Sequence, residues 1–198
     1  GGVVVVTINL SLTGWQSTGG GLENISLFEN VTGGSAVDVL RGNAGVNDLR
    51  GGSGNDRLHG GAGNDVMLGQ AGNDLVYGEG GNDVLHADAG NDRLDGGSGI
   101  DTVVVLGATS VTLTLAALAA QATGIGVDTI VNVENIVSGA GNDRLTGSAL
   151  SNVLKSGAGN DIVNAGLGDD FVWGGTGNDI LNGEDGNDAL YGEDGNDR

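Results

Sequence analysis

The chain has 198 residues, of which 42 are Gly, six are aromatic and none is Pro or Cys. So much Gly without a period would mean a disordered linker, and so few aromatics argue against a conventional globular core; the absence of Cys excludes disulfides and thiolate zinc sites. The net charge of −19, from 7 basic and 26 acidic residues, is the wrong sign for nucleic acid or an anionic membrane and the right sign for cations.

Taken in order, residues 3–12 place Val6, Ile8, Leu10 and Leu12 on one face and Thr7, Asn9 and Ser11 on the other, which predicts a half-buried strand. Residues 13–21, TGWQSTGGG, read as a loop, and 22–32, LENISLFENVT, as a second strand region. From Gly33 to Val104 the chain falls into eight nonapeptides in register. The clearest four are GGSGNDRLH, GGAGNDVML, GQAGNDLVY and GEGGNDVLH, over residues 51–86. Each line has a loop half, with Gly where the backbone turns through φ > 0, and a strand half with one apolar eighth residue: Leu58, Met67, Val76, Leu85. Three-residue strands are too short to stand alone, so neighbouring units must stack and bury that side chain.

The sixth positions of this block are Asp38, Asn47, Asp56, Asp65, Asp74, Asp83, Asp92 and Asp101. The register breaks at residue 105, where Val111, Leu113 and Leu115 alternate and LAALAAQA has the composition of a short helix. Repeats resume at Ser138, with sixth positions Asp143, Asn152, Asp161, Asp170, Asp179, Asp188 and Asp197. A longer repeat of 105 residues is superimposed: Val6 maps to Val111, Gln16 to Gln121, Glu29 to Glu134, Asp38 to Asp143, and the exception Asn47 to Asn152. The expected organisation is a β spacer (1–32), a first roll (33–104), a second spacer (105–137) and a second roll (138–198).

The unbroken run resembles the RTX (repeats-in-toxin) calcium-binding nonapeptide, G-G-x-G-x-D-x-U-x. The resemblance implies an all-β fold, a right-handed parallel β-roll in which two nonapeptides make one turn. Loops 18 residues apart then stack at about 4.8 Å. One edge of the first roll carries Asp38, Asp56, Asp74 and Asp92, the other Asn47, Asp65, Asp83 and Asp101. The second roll carries Asp143, Asp161, Asp179 and Asp197 opposite Asn152, Asp170 and Asp188. Carboxylates at that spacing repel by roughly 3–4 kcal/mol at an effective dielectric near 20, and a divalent cation between loops reverses the sign. Calcium suits flexible all-oxygen sites and magnesium does not. The loop glycines Gly51, Gly54, Gly60, Gly63, Gly69, Gly72, Gly78, Gly81, Gly174, Gly177, Gly183 and Gly186 expose backbone carbonyls as further donors. The four rows leave eleven gaps between stacked loops, and eleven calcium ions would bring +22 against −19, with weaker sites at Asn47 and Asn152.

His59 and His86 are both ninth residues, three repeats apart, so they fall on opposite faces and share no metal. Tyr77, Trp173 and Tyr191 are also ninth residues. Val66, Leu75, Val84, Ile162, Phe171 and Ile180 are apolar seventh residues, which strand propensity accounts for and which, pointing outward, would make a greasy face for a neighbouring module or partner. Arg57, Arg93 and Arg144 read as solubilising charges. No run of about 18 apolar residues predicts a membrane span. Neither H-E-x-x-H, G-x-S-x-G nor a P-loop occurs, so the stretch is expected to have no catalytic role. It starts without Met and stops inside a repeat, as an excerpt of a longer protein would. The leading expectation is a structural, calcium-folded module of a large secreted bacterial adhesin, S-layer protein or toxin. The alternative is the calcium-binding segment of a secreted metalloprotease, lipase or alginate epimerase. Ligand or ice binding by a flat face would need one repeated outward residue type, and the ninth positions (Arg, Arg, His, Leu, Tyr, His, Asp) do not supply it.

Overall fold

The computed structural model describes residues 7–12, 14–17, 22–25, 29–107, 109–117 and 119–198, which form twenty-two strands and no helix. The first spacer gives β1 (Thr7–Asn9), β2 (Gly14–Ser17), β3 (Leu22–Ile25) and β4 (Asn30–Thr32). The first nonapeptide block gives β5 (Val39–Arg41), β6 (Asp48–Ser53), β7 (Arg57–Ala62), β8 (Val66–Ala71), β9 (Leu75–Gly80), β10 (Val84–His86), β11 (Arg93–Ser98) and β12 (Thr102–Val105). The second spacer gives β13 (Thr112–Thr114), β14 (Gln121–Ala122), β15 (Val127–Val131) and β16 (Asn135–Ser138). The second block gives β17 (Arg144–Ser148), β18 (Val153–Ala158), β19 (Ile162–Leu167), β20 (Phe171–Thr176), β21 (Ile180–Asp185) and β22 (Ala189–Asp194).

Successive nonapeptide strands alternate between two facing sheets, and each pairs in parallel with the strand 18 residues on. Leu40 lies beside Leu58, Leu58 beside Val76 and Val76 beside Leu94 in one sheet. Leu49, Met67, Leu85 and Val103 line up the same way in the other. Two nonapeptides therefore close one turn of a parallel β-solenoid. The eighth-position side chains of both sheets meet in the middle, and those eight residues are all 0% exposed. Each such Leu, Met or Val contributes roughly 1.5–3 kcal/mol by leaving water. The seventh and ninth residues flank it and turn outward.

The two blocks are joined by pairing, not by a slack linker. In the nine-stranded sheet β12 pairs with β16, setting Thr102 beside Asn135, so this sheet runs unbroken from β4 to β22. On the opposite side β11 pairs with β15, setting Arg93 beside Thr129, and a new four-stranded sheet begins with β13 beside β17. The longer repeat is visible in the fold: Thr7 pairs with Val39 and Thr112 with Arg144, and β2–β3 and β14–β15 are both antiparallel.

Three local expectations need correction. The first strand is short: Ile8 and Leu10 are buried, but the chain turns after Asn9 and leaves Leu12 54% exposed, while Val6 lies outside the described residues. Residues 14–17, expected in a loop, form β2, because β3 offers it a partner. The described part of LAALAAQA is a turn followed by β14, since an eight-residue Ala-rich segment is too short to nucleate a helix without packing.

Outer-face residues fall as the spacing predicts. His59 lies on β7 and His86 on β10, in different sheets. Val66, Val84 and Phe171 sit on the nine-stranded sheet, Leu75 on the seven-stranded and Ile162 and Ile180 on the four-stranded one. Trp173 stacks on Tyr191 with centroids 5.3 Å apart, and the Lys155 ammonium lies 4.9 Å from its ring centre. Arg93 is not free, because it pairs with Asp95 at 3.0 Å, whereas Arg57 and Arg144 are exposed.

Candidate metal centre

The loop halves stack as closely as the strands do. A side chain on Gly51 would stand 2.4 Å from Asp56 Oδ2 and 2.7 Å from the carbonyl oxygen of Gly69, one turn on. Where the first loop residue is Gly, it thus leaves a cradle lined by a carboxylate and a backbone oxygen. Gly60, Gly69, Gly78, Gly174 and Gly183 keep the same place over Asp65, Asp74, Asp83, Asp179 and Asp188. The fourth Gly has a different reason. Gly54, Gly63, Gly72, Gly81, Gly177 and Gly186 all have φ between +112° and +149°. At Gly72 a Cβ would meet the Gly54 carbonyl oxygen at 1.6 Å.

The sixth residues form the rows anticipated from the spacing. The N–H of Asp38 donates to Asp56 Oδ1 at 2.7 Å, that of Asp56 to Asp74, and that of Asp74 to Asp92. On the other edge Asn47 donates to Asp65, Asp65 to Asp83 and Asp83 to Asp101. In the second block the chains run Asp143, Asp161, Asp179, Asp197 and Asn152, Asp170, Asp188. One oxygen of each stacked carboxylate is thereby fixed. The other is buried and accepts no hydrogen bond at Asp56, Asp65, Asp74, Asp83, Asp101, Asp143, Asp161, Asp170 and Asp179. Burial raises the affinity of Asp56, Asp65, Asp83, Asp161 and Asp170 for a proton, and neighbouring carboxylates add to it; Asp74, Asp92 and Asp101 are pushed up to about 6.

A buried carboxylate oxygen without a partner is costly unless a cation meets it. Among the described residues no three His, Asp or Glu side chains gather closely enough to hold a metal. An ion here would take one or two carboxylates and complete its shell from loop carbonyls. That all-oxygen, backbone-rich donor set fits calcium and not zinc, copper or a thiophilic metal.

Some predicted positions behave differently. Asn47 and Asn152 are closed by hydrogen bonds. Their Oδ1 atoms accept from the N–H of Asn43 and Ser148, and their Nδ2 groups donate to the carbonyls of Glu29 (3.2 Å) and Glu134 (2.7 Å). An Asp there would set a carboxylate oxygen against a carbonyl oxygen, which explains why the exception recurs 105 residues on. Asp38 Oδ2 accepts from the Gly34 N–H at 2.6 Å. Asp188 and Asp197 belong to the last turn and are partly or fully exposed.

The sequence reading missed two spacer carboxylates that continue the rows. The N–H of Asp92 donates to Asp128 at 2.7 Å, and that of Asp101 to Glu134 at 2.8 Å. A signal was present: GVDTIV (126–131) and NVENIV (132–137) are the back halves of degenerate nonapeptides, with Asp128 and Glu134 at the sixth place.

Fold and loops together define a parallel β-solenoid with stacked, carboxylate-lined turns. The RTX calcium-binding nonapeptide repeat family matches this chain four times, over residues 32–67, 68–103, 137–172 and 166–198, and the chain belongs to that family. The interval between the second and third matches, residues 104–136, overlaps the segment read from the sequence as a second spacer (105–137). No curated protein matches the chain.

Proposed function

We propose that this chain is a calcium-folded structural module of a larger secreted protein, with no catalytic role of its own. The reading rests on nine buried carboxylate oxygens that no group among the described residues satisfies. Calcium in the gaps between stacked loops would neutralise them; of the eleven gaps, the two that begin at the capped Asn47 and Asn152 would stay empty and about nine would fill. The sixth-position aspartates would be the charged ligands and the loop carbonyls the neutral ones. The outward valines of the nine-stranded sheet and the Phe171–Trp173–Tyr191 stack would meet neighbouring modules of the same protein.

Ion supply would decide where folding occurs. Calcium that binds only the folded chain stabilises it by RT ln(1 + [Ca]/Kd) per site. With Kd near 10⁻⁴–10⁻³ M, typical of extracellular modules, millimolar calcium gives roughly 0.4–1.4 kcal/mol per site and cytosolic calcium almost nothing. Summed over cooperating sites this decides the fate of a marginally stable domain. The chain would leave the cell unfolded, as in type I secretion, and fold outside. Circular dichroism during a calcium titration tests this. A midpoint between about 0.1 and a few millimolar supports it; a chelated protein with its full β signal, or a submicromolar midpoint, overturns it.

A further inference from the structure

We propose that the second spacer completes a calcium site that no repeat motif encodes, held by Asp101, the carbonyl oxygen of Asn132 and the carboxylate of Glu134. The inference rests on the calcium reading of the repeat loops. Asp101 is 0% exposed, and its Oδ2 accepts no hydrogen bond. A Cβ on Gly96 would stand 2.5 Å from that oxygen and 2.1 Å from Asn132 O. The same pair of oxygens surrounds Gly78 one turn earlier, with Asp83 Oδ2 and Gly96 O both at 2.3 Å. Asn132 thus presents its carbonyl where a repeat presents the first Gly of its next loop. It does so from a left-handed backbone, φ +53°. Glu134 Oε2 takes the Asp101 N–H at 2.8 Å, as an Asp one turn on would, and its second oxygen accepts no hydrogen bond among the described residues.

The other gaps at this junction are closed by the protein. On the opposite edge Ala87 stands at the first place of the last loop, and the Asp88 N–H approaches the Asp92 carboxylate. Asp128 there keeps no oxygen for an ion: one accepts the Asp92 N–H and the other the buried hydroxyl of Thr123. Beyond Glu134, the Asn152 amide caps the Glu134 carbonyl at 2.7 Å. One gap of the three therefore keeps an unpaired buried carboxylate beside a bare carbonyl, and it takes a hard divalent cation. Calcium on this edge would tie the spacer turn to the first block.

Native mass spectrometry of the whole chain in saturating calcium tests the assignment. Glu134→Gln should bind one ion fewer than the wild type, whereas Asp128→Asn should bind the same number. Hydrogen exchange over residues 129–137 should slow on adding calcium in the wild type and not in E134Q. Should E134Q fail to fold, Glu134→Asp keeps the charge on a shorter arm and should weaken one site only; unchanged affinity at every site overturns the proposal. An equal ion count in E134Q and wild type also overturns it and leaves the repeat sites standing. A wild-type chain that binds no calcium removes both.

Discussion

At the scale of single residues, the fixed oxygen and the unpartnered oxygen of each aspartate do different work. Asp74 has an unsatisfied Oδ2 and faces a loop on either side, whereas Asp38 Oδ2 already accepts the Gly34 N–H. Asp74→Ala should therefore lose more calcium and more stability than Asp38→Ala, and equal losses in calorimetric titration would count against the stacked turn. Asn152→Asp tests the capping role. It removes the Nδ2 donor to Glu134 O and buries a charge, so the calcium-loaded chain should lose about 1–3 kcal/mol and gain no ion. Protons compete with calcium at the same oxygens. An unfolded Asp titrates near 3.9, while burial pushes Asp74, Asp92 and Asp101 up to about 6 in the folded chain. The folded metal-free chain then binds more protons than the unfolded one, so its stability is greatest below about pH 4 and falls toward pH 6. Melting curves in chelator should show that decline, and melting curves in calcium should show the opposite slope, because ion binding needs the ionised form.

At the scale of the element, each loop depends on Gly for two separate reasons, and only one of them is conformational. Gly72 has φ +143° and a carbonyl 1.6 Å from where its Cβ would stand, whereas a Cβ on Gly34 would meet only Asp38 Oδ2, at an ordinary 3.9 Å, and Gly34 is outside the left-handed region. Gly72→Ala should cost at least about 3 kcal/mol and Gly34→Ala little, measured by thermal melts in calcium. Not every left-handed position needs Gly: Gln70, Glu79, Glu184 and Glu193 occupy the second loop place at φ near +70°. These sites accept a side chain because it points to solvent, at a cost of about 1–2 kcal/mol for the left-handed backbone. The spacers are elements of the same kind. Each contributes strands that take the place of a nonapeptide turn and replaces some of its metal-facing groups with hydrogen bonds.

At the scale of the whole molecule, the nine-stranded sheet makes the two blocks one stack, while the facing layer is broken at β15 and β13. Ile136, 0% exposed on β16, lies between the Val103 and Leu154 rungs and carries the core across the spacer. In calcium the wild-type chain should melt in one transition, because nearest-neighbour contacts continue through the junction. Ile136→Ser should split it into two; a single unshifted transition in the variant would show that the junction carries no coupling.

The period of nine by itself determined the strands of the blocks, the eighth-position core, the alternation of edges and the pairing of Asp residues 18 apart. These are consequences of repetition: one unit that must bury one side chain has one way to stack, and a fixed spacing sets what lies above what. The recurrence at 105 residues also exposed the Asn exceptions, but not their reason. Tertiary structure alone decided that the Asn amides cap spacer carbonyls, that Asp128 is closed by the Thr123 hydroxyl, and that Glu134 stands where the next Asp would. Residues 14–17 likewise became a strand only because β3 lies beside them. In the spacers the interval between stacked partners is 32, 33 or 36 residues in place of 18, so no local period records which groups meet, and the outcome depends on how the longer segment folds back onto the stack.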